Sequence, residues 1–326
     1  MTDTNRNDIN RICGDVLWHE SMKKHTTFKV GGEVECYASP ASVDSLIRLV
    51  KYCIKNHISF YVVGNGSNLL VCDEGLSGVV IHVGKNLNTI KFKDNYSDIA
   101  GCKIPENILP ENKKIIVAGA GIMLSALSAF ALKHSLQGLE FASGIPGTLG
   151  GAFVMNAGAY DGEISQVCLG SVVYDIDNDK VLFLDNKDQE FGYRSSIYQK
   201  KGYVLLYGIM ALESGVESEI RAKIDDYSQR RRSKQPLNMP SAGSTFKRPE
   251  GAYAGKLIED CGLRGYTIGG AQVSEKHCGF VVNTGNATCS DIVSLIKDIQ
   301  NKVKSETGFI LEPEVKYLGE GNVFCK

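Results

Sequence analysis

The sequence predicts a mixed α/β (α+β) protein with two domains, and three observations carry that expectation. A helical stripe followed by two β-like runs occupies residues 42–83. A strand and a helix recur at 115–134 and lead into a hairpin. Near residues 212–215 the composition changes from apolar strand to highly charged chain. Alternation of this kind is the mark of layered α/β architecture. The 326 residues suit two domains at about 100–200 residues each, enough for cores that need no disulfide or metal.

In chain order, Val43, Leu46, Ile47, Val50 and Ile54 share one helical face. Ile58 to Val63 reads as a buried strand running into Gly64-Asn65-Gly66-Ser67-Asn68, and Gly78 to Val83 resumes β character. Ile115 to Ala118 is a strand, Leu124 to His134 a helix, and a glycine-rich stretch follows. Ser171 to Ile176 and Val181 to Leu184 form a hairpin around Asp177-Asn178-Asp179, and Tyr203 to Leu212 adds a strand. Residues 216–235 predict a surface helix with a thin stripe of Ile220, Ile224 and Tyr227. Ala254 to Cys261 is a short helix stopped by Gly262. Thr288 and Asp291 make a capping box for a helix whose buried stripe is Ile292, Leu295, Ile296, Ile299 and Val303, with Gly308 as its stop.

Lys plus Arg total 36 against 37 for Asp plus Glu, a balance unlike that of a chain living on nucleic acid. The ten cysteines are scattered from Cys13 to Cys325 without C-x-x-C spacing, as reduced thiols of the cytoplasm are. Cys278 follows His277, but no second pair completes a zinc site, so no metal is expected. Met1 to Asn10 lacks the apolar core of a signal peptide, and no apolar run reaches membrane-span length. Glycine is in excess: 35 residues, where roughly 7% average usage gives about 23. Seven of them lie between Gly138 and Gly162, which fits either backbone passing close to a ligand or a set of tight turns.

Two stretches could cradle a diphosphate with backbone amides, namely Gly64 to Asn68 and Gly144 to Gly151. No Rossmann fingerprint is present: Gly64-x-Gly66 continues to Leu69 and Gly119-x-Gly121 to Leu124, where a third glycine is needed. A diphosphate held outside the usual nucleotide folds stays open. Tyr193-Arg194 sets a guanidinium fork beside an aromatic, suited to a carboxylate, although a lone arginine is more commonly solvated. Ser244 lies among small residues beside Lys247, where a turn or cap serine is the commoner outcome. Glu312-Pro313-Glu314 places two carboxylates near the C-terminus, usually a solvent-facing arrangement. No G-x-S-x-G elbow or histidine spacing makes the serine a hydrolase nucleophile.

These pieces occur in an order that resembles the UDP-N-acetylenolpyruvoylglucosamine reductase (MurB) family over about His25 to Gly319. The landmarks are His25 to Gly32 (HTTFKVGG), Val63 to Val71 (VGNGSNLLV), Asp73-Glu74-Gly75 and Ser143 to Gly151 (SGIPGTLGG). They continue through Met155 to Tyr160 (MNAGAY), Tyr193-Arg194, Pro240 to Lys247 (PSAGSTFK), Ala254 to Ile258 (AGKLI) and Glu312 to Val315 (EPEV).

The resemblance implies a two-lobed FAD-binding fold of the p-cresol methylhydroxylase/vanillyl-alcohol oxidase type plus a smaller α+β substrate-binding domain. Residues 1–212 would hold FAD, in lobes of about 1–83 and 84–212 with 312–326 returning to them, and 213–311 would hold substrate. It further implies an NADPH-dependent flavoenzyme that reduces UDP-N-acetylglucosamine enolpyruvate to UDP-N-acetylmuramate for peptidoglycan, hence for cell wall biogenesis, cell shape and division. FAD would be non-covalent, contacted by Gly64, Asn65, Gly66, Ser67 and Asn68, by Ser143, Gly144, Pro146, Gly147, Thr148, Gly150 and Gly151, and by Asn156, Ala157 and Gly158.

Arg194 and Glu314 match the positions that polarise the substrate carboxylate, and Ser244 the one that protonates the neighbouring carbon. Glu314 helps in that role only when protonated or bridged by a cation. Tyr193, Lys234, Lys247 and Arg248 are the implied substrate contacts, with Gln272 and Lys256 as further candidates to line the pocket. Only 50 positions separate Arg194 from Ser244 (244 − 194), as in the class without a tyrosine-loop insertion. Arg248 stands where many relatives have Asn. A cytoplasmic monomer or weak oligomer is expected. The rival readings are a sugar or lactone oxidase of the same fold and a non-catalytic nucleotide-sugar-binding or flavin-binding protein.

Overall fold

The computed structural model describes residues 1–95 and 99–320. The expected C-terminal return over 312–326 is therefore described as far as Glu320, and Cys325 lies outside the described residues.

The helices are α1 (Asp3–Cys13), α2 (Val43–Lys55), α3 (Leu124–Lys133), α4 (Leu149–Met155), α5 (Ile164–Val167), α6 (Glu217–Lys234), α7 (Ala254–Asp260) and α8 (Cys289–Thr307). The first strands are β1 (Val16–Ser21), β2 (Glu33–Ala38), β3 (Phe60–Val63), β4 (Leu69–Val71), β5 (Leu76–His82), β6 (Ile90–Phe92), β7 (Lys114–Gly119) and β8 (Leu136–Gln137). They are followed by β9 (Gly158–Ala159), β10 (Gly162–Glu163), β11 (Cys168–Asp175), β12 (Lys180–Asp185) and β13 (Tyr203–Ser214). The last are β14 (Thr267–Ile268), β15 (Ala271–Val273), β16 (Val281–Asn283) and β17 (Lys316–Leu318).

Two compact units emerge. Residues 1–16, 38–65 and 80–230 form the first, and 17–37, 66–79 and 231 onward form the second. The first unit is built on an antiparallel sheet in the order β12-β11-β13-β7-β6, with β8 also pairing β13. The predicted hairpin pairs Ser171 with Leu184 and Asp175 with Lys180, so its turn holds the expected Asp-Asn-Asp together with Ile176, which was expected in the strand. In the same unit the end of β5 lies beside β3.

In the second unit β14, β15 and β16 form a small antiparallel sheet. Strand β17 runs parallel to β4, Lys316 opposite Leu69. The core of this unit combines distant segments: Phe28, Val30 and Leu70 are buried with Ile258, Ile292, Leu295, Ile296 and Val315. This division departs from a boundary at 212–213. The chain stays with the first unit through most of α6, where Ile220 is buried, and changes unit after Arg230. Residues 17–37 and 66–79 join the second unit because their apolar side chains, Phe28 and Leu70 among them, complete the core around α8.

Helix α8 shows how much local sequence can dictate. The Thr288 side chain accepts the Asp291 N–H while Asp291 accepts the Thr288 N–H, the reciprocal capping box. The Asp73 carboxylate accepts the next two orphan amides, from Cys289 and Ser290, at 2.8 and 2.9 Å. Gly308 closes the helix at φ 76°. Helix α1 was not expected, since only Ile9 and Cys13 of it are buried; Thr2 caps it, and the Tyr52 hydroxyl on α2 reaches its Asn5 and Asp8. On α6 only Ile220 of the expected stripe is fully buried.

No disulfide joins the described cysteines. Burial pushes the thiols of Cys13, Cys53 and Cys289 up to about 12.

The backbone amides of Thr288 and then Gly270 hold the Asp291 carboxyl below the usual carboxylate range. A carboxyl lowered on folding adds stability that is complete above its unfolded value of about 4 and is lost as pH falls through its folded value. Asp291→Asn should therefore cost about 0.5–2 kcal/mol at neutral pH in urea unfolding followed by circular dichroism. The gap from the parent should close in acid; a gap that stays constant with pH would show that the charge contributes nothing.

Candidate active site

Ser244 and Glu314 are 70 positions apart (314 − 244), yet the second unit brings their segments side by side. The residue between them is Thr245. Its N–H donates to Gly279 C=O at 2.9 Å, its C=O accepts the Glu314 N–H at 2.8 Å, and its Oγ1 accepts the Val281 N–H at 2.9 Å. Phe246 bridges Pro313 in antiparallel sense, and the Lys247 N–H donates to Glu312 C=O at 2.8 Å. Thr245 is fully buried while Ser244 is exposed, so one neighbour anchors and the other is presented. The far side of Glu314 is also held: Asn68 Nδ2 donates to its C=O at 3.1 Å, and the Lys316 N–H donates to Asn68 C=O at 2.9 Å. Part of the first glycine stretch, Gly66 to Asn68, is thereby tied to the segment carrying the candidate glutamate.

Arg194 belongs to the first unit, at a tight turn in which Gly192 and Ser195 exchange both backbone hydrogen bonds. Its φ is 53°, a left-handed conformation costing a non-glycine residue about 1–2 kcal/mol. The surroundings offset that cost. Arg194 Nη2 donates to Gly158 C=O at 3.1 Å, and Gln199 Nε2 donates to Arg194 C=O at 3.1 Å. Asn156, at φ 40°, spends its amide on both sides: Nδ2 donates to Gly192 C=O, and Oδ1 accepts the Ser165 N–H. Downstream, Tyr198 is locked in a closed ring of buried hydrogen bonds with Gln189 and Ser171, each between 2.7 and 2.9 Å. Burial raises the Tyr198 phenol, keeping it a donor. Of these supporting residues, Asn156 and Gly158 stand out in the sequence, as parts of the MNAGAY stretch.

The two glycine stretches meet within the first unit. A Cβ on Gly64 would lie 2.2 Å from Thr148 Oγ1, and Asn65 Nδ2 donates to Pro146 C=O at 2.7 Å. In the second unit Gly66, at φ 63°, lies so close to His25 that a Cβ would meet its carbonyl oxygen. The second stretch differs from the expected open loop. From Leu149 it is helix α4, capped by Thr148, and the Leu149 and Gly150 amides are bonded to Ile122 and Ala120. The Ser143 and Ile145 amides are bonded to Glu140 and Ala142. Those four amides are not offered to an anion. Ser143 Oγ donates to Glu140 C=O, while the Ala157 amide donates to Ala152.

The remaining candidates are distributed as follows. Tyr193 is 51% exposed, with the Arg194 guanidinium 5.1 Å from its ring centre. Lys247 pairs with Glu312 at 2.5 Å, and Arg248 lies 4.0 Å over the exposed ring of Tyr253. Lys234 is exposed at the end of α6. Lys256 pairs with Asp260 on the outside of α7, and Gln272 reaches back to Gly265 and Thr267. Lys316, which no motif in the sequence marks, is half-buried; burial and then Lys247 lower its ammonium. Among the described residues no group of three or more His, Cys, Asp or Glu is placed to hold a metal ion.

Family models match both parts of the chain. An FAD binding domain covers residues 34–183, and the C-terminal domain of UDP-N-acetylenolpyruvoylglucosamine reductase covers 235–318. The reductase of Caldanaerobacter subterraneus subsp. tengcongensis is 49% identical over 94% of this chain and 95% of its own length. The chain belongs to the UDP-N-acetylenolpyruvoylglucosamine reductase family. The Agathobacter rectalis reductase is 48% identical over 94% of each chain. In structure, MurB from Thermus caldophilus matches with a TM-score of 0.72 and 29% identity, covering 94% of this chain and 98% of that one.

FAD is the cofactor that this membership and the binding-domain match bring. The residues fit it: the first stretch consists of Gly, Ser and Asn, and Thr27, whose N–H donates to Gly66, has a buried hydroxyl with no protein partner. An alanine at Gly64 would push Thr148 from its capping place. Gly64→Ala should lower the ratio of flavin to protein absorbance in the purified protein and reduce Tm. Parent-like values of both would remove the argument from close approach.

Proposed function

We propose that this chain reduces the enolpyruvyl ether of UDP-N-acetylglucosamine with NADPH as donor, using Arg194, Ser244 and Glu314 at the reacting group. The observation that carries the residue assignment is the anchoring of Ser244 beside Glu314 through buried Thr245. FAD, when bound, would supply the hydride chemistry between NADPH and the terminal methylene of the enolpyruvyl group. What the protein must do is manage charge and one proton. As hydride reaches the methylene, electron density on the neighbouring carbon drains into the substrate carboxylate, giving an enolate of the substrate.

Arg194 presents a planar fork to that carboxylate, with Gly158 C=O fixing one edge of the guanidinium. Glu314, protonated or bridged by a cation, adds a second contact to the developing charge. The Ser244 hydroxyl gives its proton to the carbon beside the carboxylate. A serine hydroxyl is a weak acid, but an enolate is a strong enough base for the transfer. Tyr193, Lys234, Lys247 and Arg248 are assigned to the UDP-sugar, and Gly64–Asn68, Ser143, Gly144, Pro146, Gly147, Thr148, Gly150, Gly151 and Asn156–Gly158 to FAD, held without a covalent bond.

Functionally, residues 1–212 with the C-terminal return serve FAD and 213–311 serve the substrate. The product enters peptidoglycan precursor synthesis and hence the cell wall. Among the described residues no helix is long and apolar enough to cross a membrane, and the proposal takes the chain as a cytoplasmic monomer or weak oligomer.

Ser244→Ala separates the two halves of the reaction. Anaerobic bleaching of the flavin by NADPH should proceed as in the parent. Its return on adding the enolpyruvyl UDP-sugar should slow by at least about 10²–10⁴-fold, the usual contribution of a positioned acid. Equal losses in both halves would reject Ser244 as proton donor.

A further inference from the structure

We infer that Tyr227 on α6 is a positioning residue for Arg194, acting through Tyr160 and the Gly158 carbonyl. The inference rests on the reading of Arg194 as the carboxylate clamp. Strands β9 and β10 pair Gly158 with Glu163 and Ala159 with Gly162, leaving Tyr160 and Asp161 as a two-residue turn. Both turn residues have positive φ, 53° and 64°. Turns of that shape favour Asn-Gly, because Cβ-bearing residues resist the left-handed region. A tyrosine there does not hold itself.

The support comes from α6. The Tyr160 ring stacks on Tyr227 with centroids 4.5 Å apart and planes 11° from parallel, and its hydroxyl donates to Tyr227 C=O at 3.2 Å. Tyr160 is thus gripped at both its face and its tip. The grip fixes the turn, the turn fixes the short β9–β10 ladder, and the ladder sets the direction of Gly158 C=O. That carbonyl accepts from Arg194 Nη2 at 3.1 Å. The route from Tyr227 to the guanidinium therefore crosses one stack, two hydrogen bonds and a tight turn, all in the first unit. Helix α6 is otherwise highly polar, with only Ile220 fully buried, so Tyr227 also serves as an attachment point in the middle of the helix.

The geometry separates the ring from the phenol of Tyr227. Phenylalanine at 227 would keep both the stack and the backbone acceptor, whereas alanine would keep only the acceptor. The test compares Tyr227→Ala, Tyr227→Phe and Arg194→Ala as FAD-loaded proteins. Tyr227→Ala should raise KM for the enolpyruvyl UDP-sugar, and its Kd measured calorimetrically on the oxidised protein. Its kcat/KM should fall about 10–100-fold, the scale of a misplacement near 1 Å. Flavin reduction by NADPH should be unchanged, and Tyr227→Phe should behave as the parent. In an Arg194→Ala background the effect of Tyr227→Ala should vanish, as expected for residues acting in series.

A Tyr227→Ala protein with parent KM and Kd overturns the inference when Arg194→Ala is impaired. Equal loss in both half-reactions also overturns it, since that marks a general structural role. Parent-like behaviour of Arg194→Ala overturns instead the reading of Arg194 on which the inference rests.

Discussion

One buried threonine organises the segments of the second unit that carry Ser244 and Glu314. Thr245 commits its amide and hydroxyl to one segment, at Gly279 and Val281, and its carbonyl to another, at Glu314. A residue with every polar group committed and no exposed surface has one place to be. Its neighbour Ser244 inherits that precision at no entropic cost of its own. The same bonds pin the Glu312–Glu314 segment, which Asn68 grips from the other side. An exposed serine hydroxyl and a carboxylate brought from far along the chain are thus placed by backbone bonding, independently of their own side-chain contacts.

The first unit solves the same problem by a different route. Arg194, Asn156, Tyr160 and Asp161 all adopt positive φ without being glycine. Residues held in such conformations cluster where surroundings over-determine them, which is where geometry has to be kept. Here the over-determination is visible bond by bond. Each end of the Asn156 amide is used, Gln199 holds the Arg194 carbonyl, and the Tyr198 ring of hydrogen bonds seals the base of the turn.

Much of this architecture is legible in the sequence. The stripe and caps of α8 and the Asp-Asn-Asp hairpin are local patterns, and local physics suffices for them; on α2 the helix is legible but its face is turned, since Leu46 and Val50 are buried with Leu49 and Cys53 while Ile54 is exposed. Helix α1 escapes because two buried residues make no stripe, and α4 because Gly150 and Gly151 lower helix propensity in its first turn. The division into units is illegible for a different reason. Phe28 and Leu70 leave no local trace of packing against a helix more than 200 positions away. Ser244, Glu314 and Arg194 become candidates only through many ordered matches, since each alone is an ordinary polar residue. Thr245, Tyr227 and Gln199 act by contact, so their parts become visible only in three dimensions.

The cysteines have a consequence of their own. Those that burial raises to about 12, Cys13, Cys53 and Cys289, stay protonated and shielded while the chain is folded. An alkylating reagent added to the native protein would then find them silent, and each would become reactive only when its own neighbourhood opens. Cys13 and Cys53 reside on the helices of one unit, and Cys289 begins the central helix of the other. The molecule carries separate chemical reporters for each unit, so the sequence in which masses of modified peptides appear would record the order in which the two halves come apart.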